Sequence, residues 1–441
     1  MAKFLNKGGP AEKINTAELE ALLRSVASTL PSGIRKILLI PPDFSRFHSG
    51  AGEICSILYR LLSGGVEVDL LPALGTHRPM TREETDKMFP GIPRKRIHVH
   101  DWRNGVCRLG EIPGEFVKKI SGGKVDYLVH VELACRIVEG KYDAVISISQ
   151  IVPHEVVGMA GGNKNLLVGC AGPDTINKSH FLGAVCNMEK IMGQIESPVR
   201  RLLNKAEDLF LKDLPLTYIL TVRAKGDDGA MVTRGIFAGR DRGCYQAAAR
   251  LSQQVNIINV RPLKKVVVYL DPGEFKSTWL GNKAIYRTRM AIADAGELLI
   301  IAPGLVEFGE AEVNERLIRQ YGYRGTPATL KAVAENEDLR QNLGAAAHLI
   351  HGSSEGRFSI VYAPGGLGKK EIESVGFQHA GLRKCLEKYN PEKLKDGFNS
   401  IAGEEFYFIS NPALGLWKAD LAKKAQSGKG TRRRQGYGGQ A

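Results

Sequence analysis

Short apolar segments alternate with helical stretches along most of this 441-residue chain. The predicted strands are residues 36–40, 66–74, 96–100, 142–149, 264–270, 297–302, 358–363 and 405–409. Most are rich in β-branched residues and apolar on both faces, which is typical of parallel strands covered by helices. Helical patterns between them include residues 16–27, 52–62, 199–210 and 311–321. This alternation predicts an α/β protein with mostly parallel sheets.

The length of the chain exceeds what one ordinary core accommodates, which predicts two domains. The segment VNIINVRPLKK, near residues 256–264, separates two series of strands and helices. We therefore expect an N-terminal α/β domain over residues 1–262 and a C-terminal α/β domain over 263–425, with the active site in the cleft between them. Residues 426–441 are rich in Gly, Gln and Arg, and this composition predicts a disordered basic tail.

Six of the 14 positive charges in the formal net charge come from the last 24 residues, which contain seven Lys or Arg and one Asp. The body of the chain shows no aromatic-basic signature of nucleic-acid binding, so we do not expect a nucleic-acid partner. A positive field also suits a small anionic substrate or a nucleotide cofactor. The lack of an 18-residue apolar run and of a signal peptide predicts a cytoplasmic protein without a membrane partner. The seven scattered cysteines predict reduced, mostly buried thiols.

Polar clusters follow three of the predicted strands in the first half of the chain. In open α/β sheets, ligands bind beyond the carboxyl ends of the strands. The clusters are PPDFSRFHS with Asp43, Ser45 and Arg46, GTHRPMT with Thr76 and His77, and the segment that contains His154 and Lys164. Each residue also has a structural interpretation: a turn or N-cap for Asp43 and Ser45, a surface charge for Arg46, a carbonyl partner for His77 and His154, and a solvated lysine for Lys164.

The segment PHEVVGMAGGNKNLLVGCAG, residues 153–172, combines a histidine, a glycine cluster and a lysine, and His180 follows it. Glycines such as Gly161 and Gly162 let a backbone approach a ligand closely and present N–H groups to an anion. A lysine in such a loop can hold a phosphate or form a covalent bond, and histidines can bind metal or move protons. His98 and His100 are interpreted as structural residues of a strand, and His348, His351 and His379 as surface residues.

Taken in order, these motifs resemble the nickel-pincer-nucleotide-dependent lactate racemase family over most of the chain. The residues that carry the resemblance are D-x-S/T-R at 43–46, G-T-H-R at 75–78, P-H-x-x-x-G-x-x-G-G-x-K at 153–164, and His180. The resemblance implies a pyridinium mononucleotide cofactor that grips nickel through two sulfurs and a ring carbon, bound by residues 1–262. It also implies that Lys164 tethers this cofactor through a thioamide link, and that His180 is the nickel ligand of the protein.

Further roles are implied by the same positions. His77 and His154 would be the paired acid/base residues, and Asp43 with Arg46 would hold cofactor or substrate. Other cofactor contacts are expected from Ser45, Thr76, Gly161 and Gly162. In the segment STWLGNKAIYR, Lys283 matches a catalytic lysine of the family, whereas Leu280 stands where lactate-acting members have glutamine, beside Trp279.

The implied activity is inversion of the C2 centre of a 2-hydroxy acid. Removing the C2 hydrogen as hydride, while a base takes the hydroxyl proton, avoids a carbanion beside a carboxylate, and an electron-poor ring on a soft metal can accept that hydride. Two histidines would serve the two enantiomers. The substrate would be lactate or a related 2-hydroxy acid, with a sugar acid (aldonate) as an alternative, and proteins that synthesise the cofactor would be transient partners.

Two other classes of function remain open from the sequence. In the first, His77, His154 and His180 ligate Zn²⁺ and activate water for hydrolysis. In the second, the chain is a binding protein that uses its basic tail.

Overall fold

The structure is a computed structural model that describes residues 5–226 and 228–420. Its strands, in chain order, are β1 Leu5–Gly8, β2 Lys36–Ile40, β3 Glu67–Leu70, β4 Val106–Ile112, β5 Val129–Ala134, β6 Ala144–Gln150, β7 Pro153–His154, β8 Gly158–Met159, β9 Leu216–Lys225, β10 Met231–Gly239, β11 Ile257–Val260, β12 Leu263–Tyr269, β13 Ile292–Ala302, β14 Ser359–Pro364, β15 Gln378–His379, β16 Gly397–Ile401, β17 Glu404–Ile409 and β18 Leu416–Ala419.

The α-helices, in the same order, are α1 Thr16–Ala27, α2 Ala51–Leu62, α3 Arg82–Met88, α4 Gly114–Ser121, α5 Cys135–Glu139, α6 Lys164–Leu167, α7 Pro173–Val185, α8 Met188–Ile191, α9 Pro198–Phe210, α10 Arg242–Asn256, α11 Thr278–Gly281, α12 Lys283–Thr288, α13 Glu312–Tyr321, α14 Thr326–Glu335, α15 Glu337–Arg340, α16 Leu343–His351, α17 Lys369–Ser374 and α18 Leu382–Lys388. Short 3₁₀ turns lie at Phe44–Ser49, Arg94–Arg96 and Pro412–Leu414.

Two six-stranded sheets organise the described chain. The first has the order β1-β10-β9-β6-β2-β3, and its strands β9, β6, β2 and β3 are parallel neighbours. The second has the order β15-β14-β13-β12-β17-β16, parallel except for the edge pair β16–β17. The predicted two-domain α/β class with mostly parallel strands is confirmed. The limits at residues 262 and 425 stay a prediction, and the tail 426–441 lies outside the described residues.

Each central strand is buried on both faces because helices cover both sides of its sheet. In β2, Ile37 and Leu39 pack into one apolar cluster, Leu38 and Ile40 pack into another, and all four are fully buried. In the second sheet, Val267 of β12 faces one cluster and Val266 faces the opposite one. The continuous apolar runs of these strands follow from this two-sided burial.

Two of the predicted strands differ from the structure. Residues 96–100 are not a strand, because Arg94–Arg96 form a 3₁₀ turn and Ile97 makes only an isolated bridge to Leu70. His100 is nevertheless buried, with Nε2 3.0 Å from the carbonyl oxygen of Ala171, which agrees with a structural role. The strand expected over 66–74 ends at Leu70, shortly before Pro72, which has no N–H for a sheet ladder.

The prediction of reduced thiols is wrong for one pair of cysteines. Cys107 and Cys135 form a disulfide with a Cα–Cα distance of 5.0 Å. The reason is the antiparallel pairing of β4 with β5, which brings together two residues 28 positions apart in the sequence. Of the remaining cysteines, four are buried thiols and Cys186 is partly exposed. No helix within residues 5–226 and 228–420 is long and apolar enough to span a membrane.

Candidate active site

A cavity of about 580 Å³ lies between the two sheets, and its walls come from both halves of the chain. The loops after β2, β3 and β6 form one wall together with α7, and segments around α11, α12 and α16 form the other. Ten of the predicted site residues line this cavity: Asp43, Ser45, Arg46, Thr76, His77, His154, Gly161, Lys164, His180 and Lys283. Gly162 lies beside the cavity without lining it. The three polar clusters and the C-terminal lysine therefore converge, while the roles assigned to them stay predictions.

Asp43 and His77 form a tight pair at one side of the cavity. The Nδ1 atom of His77 lies 2.6 Å from Oδ2 of Asp43, and the Ser45 hydroxyl donates to Oδ1 at 2.6 Å. Asp43 makes no side-chain capping bond to the 3₁₀ turn that follows it, so its carboxylate contacts His77 and Ser45 and does not cap the turn. When the Nδ1–H of a neutral His77 ring donates to Asp43, the ring has a free lone pair at Nε2.

The electrostatics of this pair favour its charged form. Burial alone would lower the pKa of His77, but the nearby Asp43 carboxylate outweighs burial and holds that pKa above its ordinary value. Burial also opposes ionisation of Asp43, yet His77 and the hydrogen bond from Ser45 hold the carboxyl pKa below its usual range. His77 therefore keeps a proton to higher pH than a free histidine.

His154 lies in a different environment, 4% exposed and next to Glu155 in the chain. The backbone N–H of Val156 donates to His154 Nδ1 at 3.2 Å, so the neutral ring carries its proton on Nε2, which lies 3.7 Å from Glu155 Oε1. Burial holds the pKa of His154 well below its ordinary value despite this carboxylate. The environments of His77 and His154 thus push their pKa values in opposite directions.

Two glycines and a buried arginine shape the loop that presents Lys164. Gly161 and Gly162 have φ angles of +75° and +61°, a left-handed conformation that suits glycine. Arg200 is 1% exposed; its guanidinium donates to the carbonyl oxygens of Met159 and Gly161, at 2.6 and 3.3 Å, and to the side chain of Asn163. These hydrogen bonds hold the loop in place. Arg200 was not predicted, because nothing near it in the sequence distinguishes it from a surface arginine.

The amine of Lys164 lines the cavity and makes no hydrogen bond or ion pair with the described residues. Burial, together with the nearby Arg46, lowers the pKa of Lys164 to about 8. An amine with such a pKa is partly neutral near physiological pH, which is the reactive form of a lysine. The interpretation of Lys164 as an ordinary solvated lysine does not fit this environment.

His180 lies on α7 with one ring nitrogen already occupied. Nδ1 is 2.7 Å from the carbonyl oxygen of Ile176, one helical turn earlier, which leaves Nε2 as the free nitrogen. Burial lowers the pKa of His180 to about 4, so the ring is neutral at pH 7. A neutral imidazole whose second nitrogen is held by a carbonyl is the usual form of a metal-binding histidine.

The C-terminal wall contains two buried cations, Lys283, which the sequence singled out, and Arg287, which it did not. Lys283 is 8% exposed and its Nζ has no hydrogen-bond partner. Arg287, four residues later on α12, is fully buried, and none of its guanidinium nitrogens has a partner. Burial lowers the pKa of Arg287 to about 10, and the charge of Glu155 opposes this shift. The sequence signal that could have identified Arg287 is its i, i+4 spacing from Lys283, which places both cations on one face of the helix.

The prediction that His348 and His351 lie at the surface is wrong. They are 7% and 3% exposed and line the cavity from α16. The two histidines, three residues apart in the otherwise apolar run AAAHLIH, share the face of α16 that packs inward. His379 lies on the edge strand β15, is partly exposed and does not line the cavity.

The arrangement gives no support to a zinc site formed by His77, His154 and His180. His77, His154 and His180 line the same cavity but are not close enough together to share one ion. Within the described residues, the one group of histidine, cysteine and carboxylate side chains with this proximity is Cys107, Cys135 and Glu139, and its two cysteines are joined in the disulfide.

Known proteins resemble this chain in sequence over its N-terminal part and in overall fold. Residues 6–193 match the lactate racemase N-terminal domain family. No curated protein matches the chain. Among solved structures, a structural-genomics protein from Thermotoga maritima has 22% identity and a TM-score of 0.79, with 94% of this chain and 100% of that chain covered. The lactate racemase apoprotein from Thermoanaerobacterium thermosaccharolyticum has 16% identity and a TM-score of 0.66, with 94% of each chain covered.

At these identities the two structures show the shared fold, and the family match covers the N-terminal part of the chain, which supplies Asp43, His77, His154, Lys164 and His180. The lactate racemase N-terminal domain family is therefore what residues 6–193 resemble, and the resemblance inferred from the sequence motifs is confirmed over this part of the chain.

Proposed function

We propose that this protein is a racemase or epimerase that inverts the C2 centre of a 2-hydroxy acid with a nickel-pincer nucleotide. The observation that carries the proposal is that one cavity holds the unpartnered amine of Lys164, the free Nε2 of His180 and the Asp43–His77 pair. A thioamide tether needs a reactive amine, a nickel ligand needs a free imidazole nitrogen, and proton transfer needs a positioned histidine.

The residues present fit this cofactor. Lys164 would hold it covalently, His180 would bind its nickel, and the left-handed loop at Gly161 and Gly162 allows close approach of an anionic group. When bound, the cofactor would accept a hydride from C2 of the substrate and return it. Since the cofactor is made by other proteins, we expect those proteins to contact this chain transiently.

The cationic groups of the cavity suit a carboxylate substrate. The side chain of Arg46 lines the cavity without a hydrogen bond or ion pair, and Lys283 faces it from the opposite wall. A guanidinium can hold a carboxylate through two parallel hydrogen bonds, and the ammonium of Lys283 adds a second charge. These two residues would orient C2 between the histidines.

His77 and His154 would exchange the hydroxyl proton of the substrate. Inversion requires one group that takes this proton and another that returns a proton to the opposite enantiomer, so the pair must hold a single proton. The opposed pKa shifts of His77 and His154 meet this requirement. Because the Nδ1 atom of His154 accepts from the Val156 N–H, proton uptake by His154 requires that bond to open.

The length of the carbon chain of the substrate depends on other residues of the cavity. Lactate and longer 2-hydroxy acids share the carboxylate and C2 hydroxyl that Arg46, Lys283 and the histidines would bind. The presence of Leu280 beside Trp279 on the C-terminal wall favours a substrate other than lactate, such as an aldonate.

The test is production of the chain in a host that makes the cofactor, followed by a screen of 2-hydroxy acids from lactate to aldonates for inversion at C2. We expect nickel in the purified protein, a sulfur-containing mass adduct on Lys164, and inversion with little exchange of the C2 hydrogen in deuterated water. A protein that carries zinc without nickel and no adduct on Lys164 would refute the proposal.

A further inference from the structure

One end of the cavity lies between α7 and α16, and we refer to it as the α7–α16 pocket. It is lined by Ile176, Asn177, Gly344, Ala347 and His351. The small residues of α16 let the helices approach closely, since a Cβ at Gly344 would lie 2.5 Å from Oδ1 of Asn177. Asn177 stands one helical turn before His180, so the pocket adjoins the position proposed for the nickel.

His351 differs from its neighbour His348 in how its nitrogens are used. The Nδ1 and Nε2 atoms of His348 each lie 2.9 Å from a tyrosine hydroxyl, those of Tyr286 and Tyr323, and the Trp279 ring lies over it with centroids 4.4 Å apart. His348 is therefore a satisfied structural group. His351 packs edge-on against Tyr286, and its Nε2 is buried without a hydrogen-bond partner.

An unpartnered polar group in a buried pocket costs free energy unless a ligand satisfies it. The imidazole of His351 is neutral at pH 7, because burial lowers its pKa to about 3. A neutral imidazole offers one donor and one acceptor, and the Asn177 amide, whose side chain has no hydrogen bond within the described chain, offers both as well. A hydroxyl group, which also donates and accepts, is the complement of such groups.

The charges of the cavity argue against a second carboxylate at this end. Its cationic lining residues are Arg46, Arg103, Lys164 and Lys283, and none of them lies on α7 or α16. Arg289, whose charge acts on His351, is already paired with Glu189, so a carboxylate in the α7–α16 pocket would be desolvated without a free cationic side chain, which is costly. A purely aliphatic chain would leave His351 and Asn177 unsatisfied.

We propose that the α7–α16 pocket binds hydroxyl groups on the carbon chain beyond C2, so that the substrate is a polyhydroxylated monocarboxylate and His351 is a specificity-determining residue. This inference rests on the proposed function. It adds which part of the cavity, and which residues, select the carbon chain of the substrate.

The test compares lactate, glycerate and gluconate, which share the carboxylate and C2 hydroxyl and differ in the hydroxyls beyond C2. In the cofactor-loaded protein we expect kcat/KM to rise from lactate to gluconate. His351→Leu should lower kcat/KM for gluconate about tenfold or more, the size of one lost buried hydrogen bond. It should leave lactate within about twofold, and His351→Gln should restore part of the loss.

Calorimetric titration of gluconate into the chain without cofactor provides a second measurement, since the pocket belongs to the protein. His351→Leu should weaken that binding, whereas His379→Leu, the same substitution on β15 outside the cavity, should not. If the loaded protein inverts none of the three acids, the proposed function fails. If it inverts lactate best, or if His351→Leu affects all three acids equally, the proposed function stands and this inference is overturned.

Discussion

The Nδ1 atom of His77 lies 2.6 Å from Oδ2 of Asp43, and this contact joins two motifs that are 34 residues apart in the sequence. The charge of Asp43 keeps a proton on His77, and the contact fixes the orientation of the ring. Asp43→Asn removes the charge while keeping the size, so burial should then lower the pKa of His77. We expect kcat to fall by about 10²-fold or more, since a positioned acid or base contributes 10²–10⁴-fold.

Two measurements check this prediction. NMR titration of His77 in the chain without cofactor should show the lower pKa in Asp43→Asn, and the Lys164 adduct should still form in the loaded protein. Ser45→Ala removes only the hydrogen bond to Oδ1 of Asp43 and serves as the matched control, with a much smaller effect. An unchanged His77 pKa in Asp43→Asn would contradict the assignment.

The pH dependence of turnover follows from the opposed shifts of His77 and His154. The pKa of His77 lies above 6.5 and that of His154 well below it, so between the two values the pair holds one proton. Turnover should fall at high pH, where the His77 imidazolium loses its proton and becomes neutral. It should also fall at low pH, where the neutral His154 ring gains a proton and both histidines are charged. The profile of kcat should therefore be a broad plateau that includes pH 6.5, and a narrow bell centred there would argue against the pair.

Much of the fold could be predicted from the sequence because the signal is local. Buried parallel strands such as β2 and β12 are continuous apolar runs, and their two-sided burial is what makes them so. The convergence of the loops after β2, β3 and β6 followed from their shared position at carboxyl strand ends. The run at 96–100 has the composition of a strand, but sheet pairing, which is non-local, is limited there to the isolated bridge of Ile97 to Leu70.

The parts of the site that escaped prediction depend on tertiary packing. Arg200, Arg287 and His351 acquire their character from burial, and an arginine or histidine on an amphipathic helix gives the same local pattern whether its face meets solvent or a second domain. The disulfide between Cys107 and Cys135 likewise depends on the β4–β5 pairing, which an irregular spacing of cysteines does not reveal.

Lys164 should be unusually reactive in the chain without cofactor. With its pKa at about 8, about half of its amine is neutral at pH 8, whereas an ordinary lysine with a pKa near 10.4 is less than about 1% neutral. A limiting amount of an amine-selective acylating reagent at pH 8 should therefore label Lys164 first, as read by peptide mass spectrometry. Lys178, which is paired with Asp174 at 2.6 Å on α7, is the internal control.

Lys164→Arg keeps a positive charge but removes the primary amine. It should fold normally and lose the covalent adduct in the loaded protein. An adduct that persists in this variant would place the tether on another residue.

Arg200 should matter for stability as well as for cofactor loading. Arg200→Met removes the guanidinium donor from the buried carbonyls of Met159 and Gly161, and we expect the free energy of unfolding to fall by about 1.5–3 kcal/mol. Because the lost contacts hold the loop before Lys164, the fraction of chains with an adduct should also fall. Urea unfolding and intact-mass spectrometry measure the two effects. The neighbouring Arg201 is exposed on α9, and Arg201→Met should change neither.

His180 is expected to hold nickel without holding the rest of the cofactor. Its Nδ1 is occupied by the carbonyl of Ile176, so Nε2 is the ligand atom, and His180→Ala removes it while leaving Lys164 in place. Metal analysis of protein from the cofactor-producing host should show nickel lost from His180→Ala, and mass spectrometry should show the Lys164 adduct retained. His379→Ala, outside the cavity, should keep both. Full nickel content in His180→Ala would mean that the metal is held without His180, by the donors of the cofactor alone or with another residue of the cavity.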